Sequence, residues 1–164
     1  MKYSELEADV LRLVVGATED GVRAFGEQTV TRLVRSELLH GAAEDELTEE
    51  AQAALTTACA NVLTMSAAEL HDNLATIYDG ILVEDDLDPT VLTAITALAH
   101  WKSYLEQNRR GELYELAIRS IEDIDHEVAA DLDDILATPQ MAAEYERIRR
   151  LLDPVAGQER GPHR

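Results

Sequence analysis

Apolar side chains recur every three or four positions along almost the whole chain, which is the period of an amphipathic α-helix. No run alternates apolar and polar residues as a half-buried strand does, and no internal repeat is visible. Capping and terminating residues divide the pattern into separate segments. The pattern therefore predicts an all-α protein, a single-domain bundle of about seven helices that occupies residues 1–153.

Four helix starts in the first half are marked by residue types that cap N-termini, namely Ser4, Thr18, Thr48 and Ser66. Both serines, Ser4 and Ser66, precede a glutamate by three positions, which is the spacing of a capping box. We expect the second helix to extend to His40-Gly41 and an acidic loop to follow from Ala42 to Leu47.

The second half contains the most hydrophobic segment of the chain. Asp88 and Pro89 have the types that favour the N-cap and first position of a helix. The helix that follows is apolar almost all round, which predicts a buried central helix near residues 89–106. A long helix is expected from Glu112 to Ala137, and a last one after Thr138-Pro139. Residues 154–164 are rich in Gly, Pro and charge, and we expect a disordered tail there.

The composition adds a strong negative charge to this helical pattern. The 164 residues include 33 acidic and 14 basic side chains, which gives a formal net charge of −19. With 46% hydrophobic residues the chain is too apolar to be disordered. Nucleic acids and anionic membranes are bound through Lys and Arg, so neither is expected as a partner.

The sequence also predicts a cytoplasmic protein. Cys59 is the single cysteine and has no intramolecular disulfide partner, which suits a reducing compartment. The first seven residues are acidic and lack the apolar region of a signal peptide. The longest apolar stretch, from Val91 to Ala99, is about half the length of a membrane span.

The acidic residues are clustered rather than evenly spread. Nine lie between Glu112 and Asp134, where Arg119 is the only base, and two smaller clusters lie at residues 44–50 and 84–88. Such clusters form either a solvated face that keeps the protein soluble or a negative surface that attracts a basic partner. On the second interpretation the partner-binding residues are Glu122, Asp123, Asp125, Glu127, Asp131, Asp133, Asp134, Glu84, Asp85 and Asp86.

Two acid-x-x-His pairs raise the alternative of a metal site. Glu37 with His40, and Asp123 with His126, have the spacing found in di-iron carboxylate bundles. Such bundles also need glutamates from two further helices, and no buried candidates stand out in this chain. We therefore expect surface histidines, and neither a metal nor another cofactor.

The remaining candidate chemistry is sparse. Thr93, Thr96, His100 and Ser103 form a polar stripe on the most apolar helix. The stripe could line a pocket with His100 as acid or base, or it could bind backbone groups and solvent. Cys59 has no cationic neighbour in sequence to activate it, which favours a core position. Nucleotide-binding and hydrolase motifs are missing, so no catalytic residue is predicted.

Four segments of the second half share a recognisable pattern: residues 88–91, 96–99 and 111–117, and the segment from Glu144 to Leu152. In these segments the chain resembles the YjaG-like family of uncharacterised helical bacterial proteins. It covers about two-fifths of the chain, from Asp86 to Asp153, and consists of hydrophobic spacings more than chemical signatures. The first half lacks the aromatic-rich opening of that family. The resemblance implies an all-helical fold and no known activity.

Together these observations predict a small acidic cytoplasmic binding protein. A cationic nuclease holds phosphates with Lys and Arg, and an acidic domain could occupy that site as an immunity- or antitoxin-type inhibitor. The basic partner would then be a toxin. Two alternatives stay open at this point. One is a structural or oligomeric helical scaffold, for which a homo-oligomer is expected. The other is a helical ligand-binding or metal-dependent enzyme that uses His100 or the Asp123/His126 pair.

Overall fold

A computed structural model describes residues 1–153 as helices joined by short connections. The helices are α1 (Tyr3–Gly16), α2 (Glu19–Val34), α3 (Leu39–Glu44), α4 (Glu49–Ala60), α5 (Ala67–Asp79), α6 (Pro89–Gln107), α7 (Arg110–Val128) and α8 (Pro139–Leu152), with a 3₁₀ turn at Ile135–Ala137. Over these residues β pairing is limited to one antiparallel bridge between Leu47 and Ile81. The all-helical prediction is confirmed, while the predicted tail, 154–164, lies outside the described residues.

The helices group into two compact units. Among the described residues, unit 1 contains residues 1–26 and 110–153, and unit 2 contains residues 27–109. The single domain expected over residues 1–153 stays a prediction. Among the described residues, no helix combines the length and the apolar character that crossing a membrane requires.

The core of unit 1 is formed where α1 packs against α7 and α8. The apolar positions of α1 repeat at helical spacing, so they form one stripe that is buried on the neighbouring helices. The fully buried side chains of the unit include Leu6, Val10, Leu113, Leu116 and Ile148.

Unit 1 also buries an ionic group that the sequence does not reveal. Glu144 is only 4% exposed, and Nε of Arg147 donates a hydrogen bond to Oε1 of its carboxylate at 2.6 Å. The Ser120 hydroxyl donates to the same carboxylate. The buried charge is therefore both paired and hydrogen-bonded, as a charge in a protein interior must be.

Unit 2 is built around α6, which packs against α3, α4 and α5. Trp101 is 1% exposed, and the centroid of its ring lies 5.6 Å from the ring centroid of Tyr104. Ala94 and Ala97 are buried on the same helix, where small side chains allow close approach of its neighbours. The buried helix that was predicted near residues 89–106 is confirmed, and it spans Pro89–Gln107.

Most of the predicted helix caps are present. The hydroxyls of Thr18 and Thr48 accept the N–H groups of the residues three positions ahead, and Ser66 forms its capping box with Glu69. Asp88 accepts the N–H of Thr90 ahead of α6. The predicted box at Ser4 is wrong, because α1 begins at Tyr3 and Glu5 accepts the N–H of Lys2 at 3.0 Å instead.

The predicted end of the second helix is also wrong. Helix α2 stops at Val34, and a turn follows in which the Ser36 hydroxyl accepts the N–H of Leu38 at 3.2 Å. The separate helix α3 then begins at Leu39, whose side chain is buried and only 8% exposed. His40 and Gly41 therefore lie inside α3, and residues 42–44 are helical rather than part of a loop.

The third correction concerns the long acidic helix, which was expected to reach Ala137. Helix α7 ends at Val128 because Ala129 adopts a left-handed φ of 50°. The Asp125 carboxylate accepts the N–H of Ala130 at 3.0 Å, which replaces the next helical hydrogen bond. Asp131, Asp133 and Asp134 therefore lie in a loop and do not extend a helix face.

Candidate protein-interaction site

Two acidic segments of unit 2, residues 44–50 and 79–88, lie side by side. They are far apart in the sequence: one runs from the end of α3 into the first turn of α4, and the other runs from the end of α5 to the start of α6. The N–H of Thr48 donates to the Gly80 carbonyl and the N–H of Leu82 donates to the Glu46 carbonyl, both at 2.8 Å. Between these bonds Leu47 and Ile81 form the single β-bridge. Backbone hydrogen bonds therefore fix the relative position of the two segments.

A side chain fastens the far end of the second segment. The carboxylate of Glu46 accepts the N–H of Asp88 at 2.8 Å from Oε1 and 3.1 Å from Oε2. Asp88 in turn caps α6 by accepting the N–H of Thr90 at 2.8 Å. One acidic segment thus provides the acceptor that orders the other and sets the start of the buried helix.

Close packing at Gly80 brings α5 and α4 together at the same place. A Cβ atom on Gly80 would lie 2.4 Å from both the Cβ of Ala51 and the Oγ1 of Thr48. Only glycine leaves room for this approach. An open cavity of about 540 Å³ adjoins the contact, and its lining consists of Thr48, Glu49, Glu50, Thr76, Asp79 and Gly80.

We define the acidic surface as the exposed carboxylates on these two segments, without Asp88, which caps α6: Glu44, Asp45, Glu49, Glu50, Asp79, Glu84, Asp85 and Asp86. Among residues 1–153, the basic side chain that lies next to these carboxylates is His40, whose Nε2 is 3.4 Å from Oε1 of Glu44. The negative charge of the acidic surface is therefore not neutralised by Lys or Arg of the described chain. Its potential is available to attract a positively charged partner.

The sequence contains a signal for this surface that the residue clusters alone did not reveal. No Lys or Arg occurs between Arg35 and Lys102. This gap singles out the chain segment that contains both acidic segments. Glu84, Asp85 and Asp86 were predicted as partner-binding residues, but Glu49, Glu50 and Asp79 were not. Their proximity depends on a pairing of distant loops, which charge counting does not provide.

The other seven predicted residues lie in unit 1 and do not share one helix face. Glu122, Asp123, Asp125 and Glu127 are on the last turns of α7, and Asp131, Asp133 and Asp134 are in the following loop. Burial, assisted by the charges of Glu7, Glu122 and Asp125, raises the pKa of Tyr3 to about 12. On α7 Glu122 and Asp125 are three positions apart and share one side, while Asp123 and Glu127 are four positions apart and share another.

Several of these unit 1 carboxylates already have intramolecular partners. Asp125 binds the N–H of Ala130, and Asp131 accepts the N–H of Asp133 at 2.9 Å. Asp134 lies 3.7 Å from the N-terminal ammonium group. The backbone of the loop is held as well, because the N–H of Tyr3 donates to the Leu132 carbonyl at 2.8 Å. Part of this cluster thus serves local structure.

The two acid-x-x-His pairs are not brought into a metal site. Glu37 lies in the turn before α3 and His40 inside it, so this pair does not share a helix as was predicted. Asp123 and His126 do share α7. Among residues 1–153, no group of three or more His, Cys, Asp or Glu side chains is arranged to hold a metal ion.

The polar stripe and the cysteine are both partly buried. Thr93, Thr96, His100 and Ser103 are half-buried on α6, and the cavities of about 540 and 180 Å³ are lined by other residues. Burial raises the pKa of the Cys59 thiol to about 12. The thiol is therefore protonated at neutral pH, where it is a poor nucleophile.

No family model, curated protein or solved structure gives a significant match to this chain. The resemblance of its second half to the YjaG-like family stays a prediction.

Proposed function

We propose that the protein is a small acidic binding protein that docks a basic protein partner on the acidic surface of unit 2. The observation that carries this proposal is the joining of two acidic segments by backbone hydrogen bonds at Thr48 and Leu82. The stretch that carries Glu84, Asp85 and Asp86 is held at its two ends, by the hydrogen bonds of Leu82 and Asp88, which lowers the cost of ordering it on binding.

The electrostatics favour a cationic partner. Carboxylates on adjacent segments repel each other, and Lys or Arg side chains of a partner would relieve that repulsion. Their combined field would also accelerate encounter with a basic surface. Because exposed charges are screened over about 8–10 Å in physiological salt, the interaction should weaken as salt is added.

An immunity- or antitoxin-type inhibitor is the biological role that fits this chemistry. A toxin that cleaves nucleic acid binds phosphate groups with Lys and Arg. An array of carboxylates such as Glu84, Asp85 and Asp86 would compete for those cations. The unit 1 cluster, from Glu122 to Asp134, serves as the comparison, because Asp125, Asp131 and Asp134 already have intramolecular partners.

Two charge-matched variants test the location of the site. The first combines Glu84→Gln, Asp85→Asn and Asp86→Asn in unit 2. The control combines Asp123→Asn, Glu127→Gln and Asp133→Asn in unit 1, so that both variants lose three negative charges. Binding of a fluorescent dodecalysine peptide is measured by anisotropy at 20 and 150 mM salt.

We expect the unit 2 variant to weaken binding at low salt about tenfold and the unit 1 control less than threefold. Equal losses in both variants would show a response to net charge and would overturn the assignment to unit 2. A complete lack of salt-dependent binding by the unaltered protein would overturn the proposed function itself.

A further inference from the structure

Two exposed leucines flank the stretch that carries Glu84, Asp85 and Asp86. Leu82 is 61% exposed and lies two positions before Glu84, whereas Leu92 is 41% exposed in the first turn of α6. Single exposed leucines are ordinary on protein surfaces. Apolar residues that border a concentrated charge are more informative, because such combinations mark interaction sites.

Both leucines are attached to the same anchor. The N–H of Leu82 donates to the Glu46 carbonyl at 2.8 Å, and the Glu46 carboxylate accepts the N–H of Asp88. The N–H of Leu92 then donates to the Asp88 carbonyl at 2.9 Å. A short chain of hydrogen bonds through Glu46 therefore connects the backbones that present the two side chains.

We propose that Leu82 and Leu92 are the apolar contacts of a docking surface for a basic amphipathic helix of the partner. The Lys and Arg residues of that helix would lie against Glu84, Asp85 and Asp86. This inference rests on the proposed function, and it specifies the kind of segment that the partner contributes.

Charge complementarity selects this occupant. Between Arg35 and Lys102 the chain offers acidic side chains and no Lys or Arg, so a matching segment must carry the positive charge. A second copy of this chain would bring a formal charge of −19 to the contact, which opposes self-association there. Exposed ion pairs contribute little individually, whereas burial of leucine side chains adds affinity and fixes the register.

The test uses two synthetic peptides with equal numbers of lysines. In the first, leucines at helical spacing form one apolar face; in the second, serines replace those leucines. The affinity of each peptide is measured for the unaltered protein and for its Leu82→Ser and Leu92→Ser variants. Leu63→Ser is the control, because Leu63 is 43% exposed beyond the C-terminal end of α4, whereas residues 44–50 lead into its N-terminal end. The 12 residues of α4 separate these ends by about 18 Å.

We expect Leu82→Ser and Leu92→Ser each to weaken binding of the leucine-containing peptide at least fivefold and to leave the serine peptide unchanged. Leu63→Ser should change neither affinity more than twofold. Equal losses with Leu63→Ser, or no loss with Leu82→Ser, would overturn the inference. If the unit 2 charge variant still weakened both peptides, the proposed function would stand without it.

Sedimentation of the free protein provides a separate check on the occupant. The unaltered protein and Leu82→Ser should have the same sedimentation coefficient over a tenfold concentration range. A dimer that Leu82→Ser dissociates would assign the surface to a second copy and overturn the inference.

Discussion

The carboxylate of Glu46 accepts the backbone N–H of Asp88, with 2.8 Å between Oε1 and the nitrogen. The two residues belong to different acidic segments, so a negative side chain of one segment stabilises the backbone of the other. This contact resists the repulsion between the segments, and it also fixes the N-cap of α6. The acidic surface and the most buried helix of unit 2 therefore depend on the same contact.

Removing the Glu46 carboxylate should destabilise the protein. We expect Glu46→Ala to lower the free energy of unfolding by about 1.5–3 kcal/mol, the range for hydrogen bonds that involve a charged group. Glu46→Gln keeps a neutral acceptor and should lose less. Urea unfolding followed by far-UV circular dichroism measures both. Asp45→Asn, at an exposed neighbour, is the control, and a loss as large as that of Glu46→Ala would contradict the assignment.

A methyl group at position 80 should be strongly unfavourable. Because the new Cβ would lie 2.4 Å from the Cβ of Ala51, Gly80→Ala forces α4 and α5 apart. Overpacking of this kind costs about 1–3 kcal/mol. In Gly41→Ala the added Cβ meets nothing within 4 Å on a helix, so this control should gain up to about 1 kcal/mol. Urea midpoints that shift in the same direction would refute the steric explanation.

The guanidinium of Arg110 should be important for unit 1. Its Nη1 donates to the carbonyls of Val14, Val15 and Ala17 at 2.9, 3.1 and 2.5 Å, where α1 ends. Since these carbonyls have no helical partner, we expect Arg110→Ala to cost about 2–3 kcal/mol. Arg110→Lys keeps the charge but lacks the planar fork, and should recover part of that stability.

Arg109 provides the control for this substitution, because it is the exposed neighbour in the link before α7. Arg109→Ala should leave the thermal midpoint within about 1 °C of the unaltered protein, since isolated surface substitutions have small effects. An equal fall in midpoint for both variants would show that the loss of positive charge, and not the capping geometry, is responsible.

Stability should also depend on pH through Asp9. Burial raises the pKa of Asp9, but hydrogen bonds from the Tyr145 hydroxyl and the Arg12 guanidinium outweigh it, and the pKa lies below its ordinary value. The ionised form is therefore favoured by folding. Its contribution is complete above the unfolded pKa of about 4 and is lost as pH falls through the lower folded value.

Asp9→Asn tests this expectation. The unaltered protein should be more stable than the variant at pH 7, and the difference should shrink as pH falls below about 4. Chemical unfolding at a series of pH values measures it. A difference that stayed constant down to pH 2 would show that packing of the side chain, and not its charge, stabilises unit 1.

Local signals in the sequence predicted much of the fold. The caps at Thr48, Ser66 and Asp88 are adjacent to the helices they start, so their hydrogen bonds depend on neighbouring residues. The end of α7 gave no such signal, because Ala129 is not a residue type that favours a left-handed backbone. Its conformation depends on the Asp125 side chain, which competes with the helix for the N–H of Ala130.

The candidate site was less accessible to sequence reasoning. Charge clustering identified Glu84, Asp85 and Asp86, but it favoured a helix face in unit 1 that ends earlier than predicted. The acidic surface needs the bridge between Leu47 and Ile81, which joins residues with no shared local pattern. The exposed leucines Leu82 and Leu92 are identified only by their exposed fractions in the structure. On α6, which is apolar almost all round, the hydrophobic pattern does not distinguish exposed Leu92 from its buried neighbours.

The gap between Arg35 and Lys102 also determines how the protein responds to proteases. Trypsin cleaves after Lys and Arg, so even the unfolded chain yields the whole acidic surface within one large fragment, residues 36–102. A protease specific for glutamate would instead cut the native protein after exposed Glu84, which lies outside the helices. Protection of that bond by a bound partner would therefore map the contact directly, while the intact tryptic fragment would retain any cross-linked partner peptide.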